Sequence, residues 1–221
     1  DVKKGLDFLI SAANQNHSSS QLELAKIYFK GKNVQKNIEK GISYYISAAF
    51  NESFTAQIFL GDISYLGKHV KQDIEIAIHF YNLAADQNES EAMLKLGYIY
   101  YTGEFIPRDI TKAIKYFIDS SNLCDTYAKT YLGIIFKNGD GVQKNIGRAI
   151  EYFEEGTRQD NSEYAEYNLA RIYYFGVGVE KDISKSIELL EKSAESLYQV
   201  NLFLFYIYYF GDDEFKDDDK A

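Results

Sequence analysis

One block of small and apolar residues recurs along this chain every 36 residues, and that period narrows the possible folds more than any other feature. Asp73, Ile74, Ala77, Ile78, Tyr81, Ala84 and Ala85 are answered 36 residues later by Asp109, Ile110, Ala113, Ile114, Phe117, Ser120 and Ser121. Another 36 residues on stand Asn145, Ile146, Ala149, Ile150, Phe153, Gly156 and Thr157. A fixed period of this size belongs to stacked repeats, in which a single unit cannot bury its apolar face and its neighbours complete the core. The recurring residues suit packing rather than chemistry, which turns the search for function towards surfaces.

Each unit contains two helical patterns. Ala92, Leu96, Gly97 and Tyr100 fall at i, i+4, i+5 and i+8, and Ile110, Ala113, Ile114 and Phe117 follow the same period; strands would alternate instead. Glycine inside a helix costs about 1 kcal/mol against alanine. Gly61, Gly97 and Gly133 are therefore expected where a side chain would strike a neighbouring helix. Gly139 and Gly176 follow the last periodic residue, as helix C-caps do. Gly141 and Gly178 ease a second turn, and Pro107 breaks the chain in the same loop. Positions 34, 70, 106, 142 and 179 hold Val or Ile, as expected of a plug beneath the loop. Asn37, Asp73, Asp109, Asn145 and Asp182 then stand where a side-chain oxygen caps the second helix, worth roughly 0.5–2 kcal/mol each. The reciprocal capping box is missing, because Lys40, Ile76, Lys112, Arg148 and Lys185 occupy the position that it reserves for Glu or Gln.

The predicted organisation is an all-α array over 1–211. It comprises a half repeat at 1–17, five full repeats at about 18–52, 53–88, 89–124, 125–160 and 161–196, and an unpaired first helix at 197–211. The chain opens on a second-helix pattern (Val2, Gly5, Leu6, Leu9, Ala12, Ala13), so a longer array is expected. The acidic stretch 212–221 reads as a disordered tail. The 37-residue step from Asn145 to Asp182 puts one extra residue in a turn between units, where insertion is cheap.

Composition excludes several classes. A net charge of -9 with no Lys/Arg-rich run argues against nucleic acid. The single cysteine, Cys124, cannot form an internal disulfide. The most apolar run, Leu202–Phe210, is too short to span a bilayer, so no direct membrane insertion is expected. No leader is visible, and both a cytoplasmic location and the secretory route or periplasm stay open.

These residues resemble the Sel1-like repeat, a relative of the tetratricopeptide repeat. The pattern is quoted by Ala165, Leu169, Tyr173, Gly176, Gly178, Val179 and Asp182, by Leu96, Gly97, Lys112 and Ala113, and by Ala84 and Ala85. The first repeat lacks the second loop glycine, and Glu104-Phe105 replaces the Gly-containing pair in the third. A tetratricopeptide array would repeat every 34 residues. The resemblance implies an α/α right-handed superhelix whose surfaces bind proteins. It also implies adaptor roles in protein quality control, signalling or bacterial host interaction.

The search for chemistry returns little. His17, His69 and His79 form no metal-ligand spacing, and Gly139-Asp140-Gly141-Val142 lacks phosphate-loop spacing and follows a helix. No cofactor, metal or catalytic set is predicted. The expected function is a non-enzymatic scaffold or adaptor for a peptide or partner protein; a secreted or periplasmic host-interaction factor and an enzyme or enzyme-regulating module are the alternatives. Candidate partner-binding residues lie on the first helices, which line the concave face of a tetratricopeptide-like array: Lys26, Asp62, Tyr98, Ile134 and Arg171 in one row, and Glu23, Phe59, Lys95, Tyr131 and Asn168 in the next. Phe59, Tyr98 and Tyr131 could equally pack between units. The terminal helix could meet a missing flanking repeat or a second copy. Asn16, Asn51 and Asn88 begin glycosylation sequons in the turns between units. If Leu96 joins packing layers, Leu96→Ala costs about 2–5 kcal/mol through its cavity, checked by the urea unfolding midpoint.

Overall fold

The structure is a computed structural model that describes residues 1–158, 163–194 and 198–210. Among them the chain forms helices and loops only, in two compact units divided after Asp109. The first unit holds α1 (Val2–Ala13), α2 (Ser18–Lys30), α3 (Ile38–Phe50), α4 (Phe54–Leu66), α5 (Ile74–Ala85) and α6 (Ser90–Thr102). The second holds α7 (Ile110–Asn122), α8 (Thr126–Asn138), α9 (Ile146–Gly156), α10 (Glu163–Phe175), α11 (Ile183–Ser193) and α12 (Tyr198–Phe210). The architecture is an all-α solenoid of tandem helix–loop–helix repeats. Within each unit the two helices of a repeat pair tightly, as α4 with α5 and α8 with α9, and the second helix leans on the first helix of the next repeat, as α3 on α4 and α9 on α10. The stretch 212–221, expected as a disordered tail, lies outside the described residues.

The loop inside each repeat is fixed at both ends. Gly31, Gly67, Gly103 and Gly139 take φ between 64° and 81°, the left-handed C-cap conformation, which glycine adopts without a Cβ penalty. Six residues later the cap residue makes two bonds. Its side chain accepts from the N–H three residues on: Asn37 from Lys40 at 2.9 Å, Asp73 from Ile76 at 3.0 Å, Asn145 from Arg148 at 3.0 Å and Asp182 from Lys185 at 2.8 Å. Its own N–H donates back to the first helix, to Tyr28, Ser64, Tyr100, Phe136 and Tyr173 for Asn37, Asp73, Asp109, Asn145 and Asp182. The second loop glycine does more than turn the chain. A Cβ on Gly141 would lie 2.5 Å from Ile110 Cγ2, and one on Gly178 would lie 2.8 Å from Ile146 Cγ2. In the second unit, then, the loop rests on the start of the preceding repeat's second helix.

The helical glycines answer to aromatic rings. A Cβ on Gly61 would sit 2.5 Å from the Tyr81 ring, and one on Gly133 the same distance from the Phe153 ring. Both rings are buried, Phe153 completely. A ring over a bare backbone brings the paired helices close without a void. Leu24, Leu96, Leu132 and Leu169 fill the layer beside it and are almost wholly inaccessible.

A second link between repeats is polar. Buried Gln21 donates Nε2 to the Ala13 carbonyl at 3.0 Å, and its Oε1 accepts from Asn51 Nδ2 at 2.8 Å. One repeat later Gln57 donates to the Ala49 carbonyl at 3.0 Å and accepts from Gln87 at 2.8 Å. Each glutamine is a second donor to a carbonyl at the C-terminal end of the preceding helix, which also accepts the turn N–H of Asn16 or Glu52. The turns beside them place Asn16, Glu52, Asn88 and Cys124, again 36 apart, at φ between 63° and 66°.

Gly133→Ala is expected to destabilise by about 1–3 kcal/mol through overpacking, despite the gain of about 1 kcal/mol in helix propensity. Phe153→Leu on that background should recover part of the loss. Urea midpoints of the two variants check both outcomes.

Candidate protein-binding surface

Side chains seven residues apart on one helix share a face about 10 Å long. Each predicted row takes one position from the first helix of every full repeat, and the two rows lie three residues apart on it. The structure separates residues that pack from residues that face outward, and it divides the chemistry between the two units.

In the first unit Phe59 belongs to the core. Its ring stacks on Tyr45 at 3.9 Å and meets Phe29 edge-on at 5.1 Å. The exposed character beside it is charged. Lys95 of α6 reaches Asp62 of α4 at 3.0 Å and Glu91 at 3.4 Å, and Asp62 also accepts the Tyr81 hydroxyl at 2.7 Å. Lys26 pairs with Glu23 at 2.7 Å. Exposed pairs of this kind contribute about 0–1 kcal/mol; their larger effect is to set the charge pattern of the face. Tyr98 is exposed on α6, one turn beyond Lys95.

In the second unit Tyr131 stacks on Phe117 at 4.9 Å, within the repeat packing. Ile134 is half-buried and packs against the core. Asn168 is buried; it accepts from Lys137 Nζ at 2.7 Å and donates to the Tyr164 carbonyl at 2.9 Å. Arg171 is exposed, its guanidinium 5.6 Å from the Tyr167 ring centre. Burial, and then the nearby Arg171 charge, hold the Lys137 ammonium below its ordinary pKa. Arg171 is thus an exposed cation seven residues beyond Tyr164 on α10, whereas Lys137 is half-buried, bonded to Asn168 and 6.0 Å from the Phe153 ring centre. Tyr127 and Tyr164 are 40% and 46% exposed with ring centres 6.4 Å apart.

Tyr127, Tyr164 and Lys137 were not among the predicted residues. A tyrosine stands immediately before the first-helix alanines Ala128 and Ala165, and that was the available signal. Lys137 occupies a position that elsewhere holds Phe29, Tyr65, Tyr101 and Tyr174; a charge replacing a ring is itself conspicuous. The sequon residues differ in state. Asn16 and Asn88 are exposed, whereas Asn51 Nδ2 already donates to Gln21 and to the Ser47 carbonyl. A glycan at Asn51 would displace those bonds.

Among the described residues no group of three or more His, Cys, Asp or Glu could hold a metal ion. No helix among them is long and apolar enough to cross a membrane.

The Sel1 repeat family model matches residues 1–17, 18–49, 55–89, 90–122, 126–161, 163–196 and 197–221. A search of the curated proteins found no match to the sequence. Among solved structures, the chain is similar to a protective antigen present in uropathogenic Escherichia coli strains and displaying an SLR fold. That match has 26% identity and a TM-score of 0.86, and it covers 100% of this chain and 47% of the antigen's. It is similar to a Sel1 repeat protein from Oxalobacter formigenes at 26% identity and a TM-score of 0.85, over 98% of this chain and 89% of that one. An immunity protein, PA5088 of Pseudomonas aeruginosa, shares the fold alone, at 14% identity and a TM-score of 0.58 over 89% of this chain and 77% of that one. The chain thus spans about half the length of the antigen and most of the Oxalobacter protein.

The Tyr81 phenol gives a pH prediction. Burial first, and then its bond to Asp62, push its pKa above the ordinary 10.0. The folded state therefore holds a proton that the unfolded chain releases above pH 10, and its contribution is complete below that pH and falls as pH rises further. Tyr81→Phe should lose about 1–3 kcal/mol at pH 8, as for a hydrogen bond to a charged group. Its stability should then decline less than wild type between pH 9 and 11, read from paired urea titrations.

Proposed function

The chain belongs to the Sel1 repeat family, and from that premise we propose that it is a non-catalytic scaffold that holds a partner protein on the first-helix face of its second unit. The observation that carries this reading is the exposed pair Tyr127 and Tyr164, ring beside ring, with exposed Arg171 seven residues beyond Tyr164 on α10. Aromatic rings and arginine are the side chains most enriched at the energetic centres of protein interfaces. Here they stand on rigid helices, with little ordering entropy left to lose on binding.

The face also indicates a class of partner. The exposed Arg171 guanidinium, with the half-buried Lys137 charge near it, suits a carboxylate. The tyrosine pair about two helical turns away suits an apolar or aromatic side chain. The matching partner is an acidic segment with an aromatic or large aliphatic residue roughly 10 Å from its carboxylate. The first unit's face, with Asp62, Lys95, Glu91, Glu23 and Lys26 already paired, fits a supporting charged rim. Tyr98 is the residue there that offers contact area. The similarity to a protective antigen supports a protein whose outer surface is recognised by others; antigenicity itself is that protein's property.

A displayed library of random dodecapeptides, selected on the 221-residue chain, tests this reading. Selected peptides should combine Asp or Glu with an aromatic or large aliphatic residue. Arg171→Glu and Tyr164→Ala should each weaken them by about tenfold or more, the effect of losing roughly 1.4 kcal/mol, with unchanged circular dichroism. Binding should also weaken with salt. Peptides of no common pattern, or equal affinity for both variants, would remove this face as the site.

A further inference from the structure

A lysine taken partly out of water either finds an anion or gives up its proton more readily. Among the described residues five lysines are half-buried, and four of them meet an acid or a phenol. Lys26 reaches Glu23 at 2.7 Å, Lys95 reaches Asp62 at 3.0 Å and Lys129 reaches Glu155 at 3.7 Å, while Lys185 donates to the Tyr173 hydroxyl at 2.6 Å. Lys137 is the fifth. Its Nζ donates to a neutral acceptor, Asn168 Oδ1 at 2.7 Å, and among the described residues no carboxylate stands within ion-pair distance of it.

The position explains this isolation. The counterparts Phe29, Tyr65, Tyr101 and Tyr174 are half-buried rings, so the Lys137 stem runs where the other repeats place an aromatic side chain. From α9 it faces the Phe153 ring, which covers Gly133 one turn earlier on α8 and lies 6.0 Å from Nζ. From α10 it faces Asn168 and the charge of Arg171, and burial first, then that charge, hold the ammonium below its ordinary pKa. An apolar shell and a neighbouring cation are the two surroundings that turn a lysine into a nucleophile. Arg171, exposed beside it, offers a guanidinium fork suited to phosphate.

We propose that Lys137 is a modification site, acylated at Nζ by small acyl phosphates whose phosphate docks on Arg171. The neutral amine attacks the acyl carbon, the C–O bond to phosphate breaks, phosphate leaves with that electron pair, and the amine's proton passes to solvent. The amide product keeps an N–H for Asn168 Oδ1 and removes the half-buried charge. If the second-unit face holds an acidic segment, acylation weakens that binding; the reactivity of the amine does not rest on that reading.

Acetylation of the 221-residue chain near neutral pH tests the proposal, with the rate at each lysine read by peptide mass spectrometry. Exposed Lys36 and Lys144 are the references. Two donors are compared, acetyl phosphate and the N-hydroxysuccinimide ester of acetic acid, which carries no phosphate. Lys137 should react with acetyl phosphate about fivefold or more faster than either reference, because each unit of lowered pKa raises the neutral fraction about tenfold. The preference should vanish in the guanidinium-unfolded chain. Arg171→Gln, with unchanged circular dichroism, should slow acetyl phosphate about threefold more than the ester, through loss of the phosphate contact. Lys137 reacting no faster than the references, or a preference that survives unfolding, would overturn the proposal. Equal slowing of both donors by Arg171→Gln would also overturn it, by removing the docked phosphate.

Discussion

The fold depends on one steric arrangement, an aromatic ring of the second helix seated on the bare backbone of the first. Tyr81 over Gly61 and Phe153 over Gly133 are its clearest instances. Glycine there lowers intrinsic helix stability, and it admits a ring where a side chain could not fit. Tyr81 also turns its hydroxyl to Asp62, which Lys95 of the next repeat approaches. The ring that closes one repeat thus fixes a charge on the exposed face of the next, and packing and surface chemistry are coupled through one side chain.

Between repeats the binding is partly polar. Gln21 and Gln57 each donate to a terminal carbonyl behind them and accept an amide from the turn that follows their own repeat's second helix. A buried amide left without either partner would cost about as much as a good hydrogen bond contributes, so these residues favour one register between neighbours over a slipped one. The other repeats hold Met93, Lys129 and Glu166 at this position, and Lys129 lies 3.7 Å from Glu155. The same site is filled by different chemistry, and the small residues around it keep the repeat geometry.

The two units put different chemistry on equivalent strips. Charges sit at Asp62 and Lys95 in the first. Rings at Tyr127 and Tyr164, with cations at Lys137 and Arg171, sit in the second. A row read down the sequence mixes these, and it also mixes core with surface. Phe59 and Tyr131 share a register position with Lys95, yet both rings are stacked inside their repeats. Register fixes the angle of a side chain about its helix. Whether the chain lies flat against a neighbour or extends outward depends on its length and on what the neighbour offers.

The sequence by itself determined the repeat, the two helices within it, the glycine that ends the first and the Asn or Asp that begins the second. These follow from local rules: a helical period, a left-handed cap that only glycine takes without strain, and a side-chain oxygen within reach of free N–H groups. Tertiary structure decided which aromatic residues became core, that Gly141 and Gly178 make room for Ile110 and Ile146, that glutamines tie successive repeats, and that Tyr127 stands beside Tyr164. Each of these is a contact between different helices or their loops, as of Tyr45 with Phe59 and of Gly141 with Ile110. Such contacts are set by how helices approach one another, and a periodic pattern marks the face of a helix without specifying the atoms across from it.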